Sequence, residues 1–145
     1  MEVFRTEPLL VPKVWGGRNL ATLFGKTLPD ASPYGESWEV ADLPEGQSTV
    51  ATGALAGAPL SEAVRAWGRA LTGAGGTQFP LLVKLLDAAA DLSVQVHPGP
   101  NDAVVRRGEA ASKDECWVIL AADAGGGIVH GLRRSVRSIQ HRRNH

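Results

Sequence analysis

Residues 84–98 read KLLDAAADLSVQVHP and residues 112–120 read SKDECWVIL; the fold of the chain turns on these two segments. In the first, Ser93, Gln95 and His97 alternate with Leu92, Val94 and Val96. Period-two alternation predicts a strand with the polar three on one face and the apolar three on the other. The second segment repeats the pattern, with Lys113, Glu115 and Trp117 on one face and Cys116, Val118 and Leu120 on the other. Side by side, two such strands would bring an amide oxygen, an imidazole and a carboxylate together. That donor set suits zinc or another divalent ion. Taken alone, Gln-x-His is a weak signal, because one His on a strand is more often an ordinary surface or core residue.

Moving outward, Phe79–Leu86 is a near-continuous apolar run broken by Lys84, which predicts a buried strand. A lysine inside such a run has to snorkel or meet an anion. The anion is either a bound phosphate or the carboxylate of Asp87 or Asp91. Downstream, Pro98–Asp102 reads as a turn with a helix cap, Ala103–Gly108 as a short helix, Asp123–Gly127 as a hairpin turn and Ile128–His130 as the start of a last strand. Upstream, Leu60, Val64, Trp67 and Leu71 form one stripe of an amphipathic helix near 60–72, with Ser61 as its N-cap and Gly73 at its end. The loop Gly73–Gln78 lacks the Lys-Ser/Thr ending of a phosphate loop.

Ser48–Thr52 reads as a strand paired with Glu36–Val40 across Leu43–Gln47. Glu36 then shares a face with Trp38 and Val40, either turned toward a site or as a carboxylate at the sheet edge. Residues 1–45 read as extended and turn-rich, since Pro8, Pro12, Pro29, Pro33 and Pro44 forbid long helices. Within them Leu20–Phe24 predicts one helical turn ended by Gly25. Trp15-Gly16-Gly17 predicts a turn that lets backbone come close to something, or a packed aromatic before a tight turn.

A chain of 145 residues is long enough for one domain with a core. No run is long enough to span a membrane, and the N-terminal stretch lacks the basic start and apolar block of a secretory signal. Cys116 has no partner for an internal disulfide, and its place on the apolar face predicts a buried thiol in a cytoplasmic protein. The formal net charge of zero hides a split: up to Leu132 there are ten Lys/Arg against fifteen Asp/Glu, and the remaining RRSVRSIQHRRNH holds five Arg and no acid. Such a tail is a candidate nucleic-acid arm, but it has neither interleaved aromatics nor an apolar period.

The string LSVQVHP followed by KDECW resembles the metal-binding core of the type I mannose-6-phosphate isomerases, a cupin family. Further matches follow in the same order: VWGG at Val14–Gly17, GESWEV at Gly35–Val40 and FPLLVKLLDA at Phe79–Ala88, so that the resemblance covers roughly residues 8–132. It implies a mainly β (α+β) fold, a cupin or jelly-roll barrel; periodicity alone gives only a β-rich chain with a helix. It implies one Zn2+ per chain, held by Gln95, His97 and Glu115 with a second, more distant His. It implies Lys84 and Ser93 at the substrate phosphate, Trp15 near the substrate cleft, and Lys113 and Glu36 as candidate catalytic residues. Lys113 can equally be an exposed strand-edge lysine that discourages aggregation.

The family's chemistry is the interconversion of mannose 6-phosphate and fructose 6-phosphate. Moving hydrogen between C1 and C2 needs a base beside a carbonyl and positive charge at the enediolate oxygen, which a divalent ion can supply. The family chain continues further and there provides the second His and an active-site Arg. His130, His141 and His145 are only nominal substitutes for that ligand. The expectation is therefore an incomplete barrel over 1–132, the N-terminal part of the catalytic domain, with 133–145 a non-native or disordered basic tail and a shift of reading frame near Leu132. Two other classes compete with the isomerase: a non-catalytic cupin fragment that binds a metal or sugar phosphate and self-associates through open sheet edges, and a nucleic-acid-binding protein that uses the Arg tail. The partner expected is a hexose 6-phosphate, with neither nucleic acid nor membrane.

Overall fold

Three antiparallel strands form the main sheet, and the middle one carries the residues of most interest. The structure is a computed structural model and describes residues 2–73, 75–95, 97–109 and 112–129. In chain order the elements are β1 (Thr6–Glu7), β2 (Leu9–Gly17), α1 (Asn19–Thr22), β3 (Tyr34–Val40), β4 (Asp42–Leu43), β5 (Gly46–Gln47), β6 (Thr49–Val50), α2 (Leu60–Trp67), α3 (Arg69–Thr72), β7 (Val83–Leu86) and α4 (Ala103–Arg106). The main sheet runs β2-β3-β7, and two two-stranded ladders pair β1 with β6 and β4 with β5. All pairings are antiparallel. The class is mainly β, as the sequence predicts.

The nine-residue β2 lies inside the stretch expected to be merely extended. Its prolines explain the difference. Pro12 has no N–H to give, and the β2–β3 register slips on both sides of it, so the strand tolerates the proline at an irregularity. Trp15-Gly16-Gly17 closes this strand and is not a turn. Its glycines do permit close approach: a Cβ at Gly16 would overlap the Tyr34–Gly35 backbone, and one at Gly35 would strike the Trp15 ring.

The expected pairing of Ser48–Thr52 with Glu36–Val40 does not form. Pro44 and Glu45 make a two-residue connection inside a shorter hairpin, β4–β5, and β6 pairs instead with β1, Thr6 opposite Val50. Buried Ser48 ties this region together: its N–H donates to Ala41 O at 2.8 Å, its Oγ accepts from Ala41 N at 3.0 Å, and its carbonyl accepts from Leu60 N at 2.9 Å. That last bond satisfies an orphan N–H at the start of α2, so the helix needs no side-chain cap. Pro59 is the N-cap, and Ser61, expected there, sits inside the helix and donates to Gln47 Oε1 at 2.9 Å.

The apolar stripe packs as predicted. Val50, Leu60 and Ala63 are the buried centre, and Phe4, Val40, Leu55, Trp67, Leu71 and Phe79 close around them. The Phe4 and Trp67 rings lie 5.3 Å apart, tilted by 39°. Gly68, at φ 48°, divides the stretch into α2 and α3, and Gly73 ends it in the left-handed region at φ 73°. Short helices at 19–22 and 103–106 and a turn with Gly126 N bonded to Asp123 O at 2.9 Å also follow the sequence.

Several expectations are corrected. The run 79–86 forms a strand only over Val83–Leu86, and Leu81 and Val83 are 61% and 47% exposed. Neither 91–95 nor 112–120 belongs to a hydrogen-bonded strand among the described residues, and Ile128 and Val129 do not begin one. Their alternation is present in the sequence, but a ladder also needs a partner backbone and a cover for the apolar face; Val94 and Val118 are 89% and 79% exposed. For the same reason Cys116 is exposed and not buried.

The chain divides into two units, residues 1–94, which hold every sheet of the described residues, and residues 95–145. The boundary expected at Leu132, the basic tail, and His130, His141 and His145 lie outside the described residues. No helix among the described residues is long and apolar enough to cross a membrane.

Candidate active site

In the first unit the site is built on one face of the main sheet. Cross-strand register sets Val11 opposite Glu36, Glu36 opposite Leu86, and Trp38 opposite Lys84. Residues directly opposite share a face, so Glu36, Trp38 and Lys84 stand together. Glu36 is not a carboxylate at the sheet edge: β3 is the middle strand and the residue is 7% exposed. Burying a carboxylate demands partners, and it has three. Trp38 Nε1 donates to Oε2 at 2.7 Å, while Lys84 Nζ and Lys13 Nζ lie 3.5 Å and 3.8 Å from Oε1. The salt-bridge partner of Lys84 is therefore Glu36 rather than Asp87 or Asp91. Asp87 is buried and accepts from the backbone N and Nδ2 of Asn19 at 2.6 Å and 3.2 Å, fastening α1 to the sheet.

Trp15 lies over Gly35, with Ala89 N donating to its carbonyl at 2.9 Å. Ser93 is exposed and lies outside the strands. On the opposite face of β3, Ser37 Oγ donates to Glu39 Oε1 at 2.6 Å and Lys26 pairs with the same oxygen at 2.8 Å. The sequence reading missed Lys13. The signal was the alternation of Val11, Lys13 and Trp15, hidden in a stretch read through its prolines.

In the second unit a carboxylate again stands between two polar side chains. His97 Nε2 lies 3.7 Å from Glu115 Oε2, and Lys113 Nζ donates to Glu115 Oε1 at 2.9 Å. Lys113 and Glu115 meet because side chains two apart on extended backbone share a side, with or without a ladder. Gln95, two residues before His97, is exposed. Among the described residues no three His, Cys, Asp or Glu side chains cluster as a metal centre. Of the three expected metal ligands, the structure sets His97 and Glu115 side by side. Two ligands each about 2.0–2.1 Å from a tetrahedral zinc lie roughly 3.3 Å apart, near the 3.7 Å between His97 and Glu115. That separation is too long for a hydrogen bond.

A family model described as phosphomannose isomerase type I, catalytic domain, matches residues 3–123. The chain belongs to this family. Mannose-6-phosphate isomerase of Streptococcus mutans serotype c is 40% identical over 119 residues, 82% of this chain and 37% of the relative. Mannose-6-phosphate isomerase ManA of Bacillus subtilis strain 168 is 38% identical over 125 residues, 86% of this chain and 39% of the relative. The crystal structure of the mannose 6-phosphate isomerase from Bacillus subtilis superposes with a TM-score of 0.59 at 40% identity, over 66% of this chain and 30% of that one. This phosphomannose isomerase family member thus spans 37% and 39% of the length of the two curated relatives, about two fifths. Its antiparallel sheets are part of a cupin, or jelly-roll, architecture.

Proposed function

We propose that the chain carries the zinc-dependent aldose–ketose isomerase chemistry that interconverts mannose 6-phosphate and fructose 6-phosphate. The observation that carries this reading is the Glu115 carboxylate, with one oxygen turned to the His97 imidazole and the other held by the Lys113 ammonium. His97 Nε2, Glu115 Oε2 and the Gln95 amide oxygen would hold the metal, with one position for a further ligand. When bound, zinc would supply Lewis acidity toward the sugar oxygens at C1 and C2.

The remaining work falls to side chains. Lys113 fixes the Glu115 carboxylate and presents a positive charge where enediolate oxygen develops. An ammonium already tied to a carboxylate needs little reorganisation as that charge grows. Lys84 and Ser93 would receive the phosphate, and Trp15 would border the cleft. A sugar phosphate is a solute of the cytoplasm, where this reading puts the protein.

A coupled isomerase assay on the zinc-loaded 145-residue chain tests the reading, with zinc stoichiometry measured in parallel. We expect turnover and one zinc per chain, both lost in His97→Ala. Zinc binding unchanged in His97→Ala would remove these residues from the metal site, and absence of turnover with zinc bound would refute catalysis by this chain.

A further inference from the structure

The segment SKDECWVILAAD, residues 112–123, is exposed along its whole length and belongs to no ladder among the described residues. Within it Trp117, Val118, Ile119 and Leu120 follow one another, each half exposed or more. A consecutive apolar run on a surface marks a contact site. The backbone here is extended: Lys113 Nζ reaches Glu115 Oε1 at 2.9 Å, as side chains two apart do on one side of such a chain. Exposed extended backbone with apolar side chains on both sides is a template for another strand.

What fits this segment follows from its charges. Lys113 and Asp123 each lie five positions from Val118 and, being an even number apart, on the same side. An antiparallel second copy, turned about a two-fold axis at Val118, sets each Lys113 opposite Asp123 of the copy. In that register Trp117 stands opposite Ile119 and Cys116 opposite Leu120, while Asp114 and Glu115 face the small Ala122 and Ala121. Aromatic–β-branched and opposite-charge neighbours are the favourable cross-strand pairs. Moving the copy by two residues one way sets Glu115 against Asp123. Moving it the other way sets Glu115 against Ile119 and Asp114 against Leu120. We propose that residues 113–123 are a self-pairing strand through which two copies of this chain associate, in the register that puts Val118 opposite its twin. The pairing needs neither metal nor sugar, so it stands apart from the isomerase reading.

Sedimentation equilibrium of the full chain, over a dilution series without metal or substrate, tests this. We expect a monomer–dimer equilibrium that Val118→Lys abolishes by setting two ammoniums face to face. Val118 is exposed in the single chain, so its replacement removes no core contact. Asp123→Lys should weaken dimerisation about tenfold, because two like-charge pairs replace two opposite ones. Combining it with Lys113→Glu should restore affinity to within about threefold of the parent. Cross-linking reads the register. Opposed residues on antiparallel strands have Cα atoms about 4.5–5.5 Å apart, within the span of a disulfide. Oxidised glutathione should therefore turn Leu120→Cys into a covalent dimer through Cys116 of the copy, with reduced glutathione released. Ala122→Cys, two positions out of register, should gain no cross-link over the parent. A chain that stays monomeric throughout the series overturns the proposal and leaves the segment to a different polypeptide. Association untouched by Val118→Lys, or equal cross-linking of Leu120→Cys and Ala122→Cys, overturns it as well.

Discussion

Replacing Glu36 by Gln keeps the size of the side chain and an acceptor for Trp38, and removes only the charge. The Glu36 side chain is 9% exposed and that of Lys84 18%, so their pairing lies between the surface and buried limits. Breaking a fully buried pair costs about 3–5 kcal/mol, whereas an exposed pair is worth about 0–1 kcal/mol. Weakening the Trp38 bond from a charged to a neutral acceptor adds about 1 kcal/mol. An intermediate value of about 2–3 kcal/mol is therefore expected for Glu36→Gln. Lys84→Met alone should cost less, because Lys13 and Trp38 remain at the carboxylate. The double variant should be more stable than the sum of the singles by at least about 1 kcal/mol, since the second change removes a cation already stripped of its partner. Urea unfolding followed by tryptophan emission measures all four corners of the cycle. A Glu36→Gln cost below about 0.5 kcal/mol, or strictly additive singles, would refute the claim that these charges are coupled.

Leu60→Ala empties the 1%-exposed centre of the core beside Val50 and Ala63 and should cost about 2–5 kcal/mol in the same unfolding experiment. Gly16→Ala forces a methyl group against the Tyr34–Gly35 backbone and should split β2 from β3, read as lost amide-exchange protection along both strands. Asp30 gives a pH dependence: hydrogen bonding to Ser32 N, helped by the charge of Arg18, lowers its carboxyl below the ordinary 3.8. With the folded value lower than the unfolded one, the stabilisation is full above pH 3.8 and fades as pH falls through the folded value, so Asp30→Asn should flatten the acid side of the stability profile.

Much of the fold was legible where one physical rule acted alone. The stripe Leu60, Val64, Trp67 and Leu71 needed only helical period, and Gly73 only its freedom to adopt positive φ. Strand partners were harder, because a ladder depends on a second segment that local pattern does not name. Thus Ser48–Thr52 was assigned to the wrong neighbour, and β2 was passed over because its prolines speak about helices more clearly than about strands. At the site, alternation brought out His97, Lys113 and Glu115 as side chains that share a side. It did not reveal Lys13, whose importance comes from facing Glu36 across two strands. For Glu36 the sequence left two readings open, and only the partners supplied by the neighbouring strands remove the sheet-edge one.

The glycines facing each other across β2 and β3 limit how the sequence can drift. Position 16 excludes every side chain because backbone fills the space, and position 35 because an indole does. Neither constraint involves metal, substrate or charge. A descendant that had exchanged His97 or Glu115 would still be held to glycine at both places for as long as it folded this way. Those two positions should therefore trace the architecture through relatives of any activity, independently of what occupies positions 97 and 115.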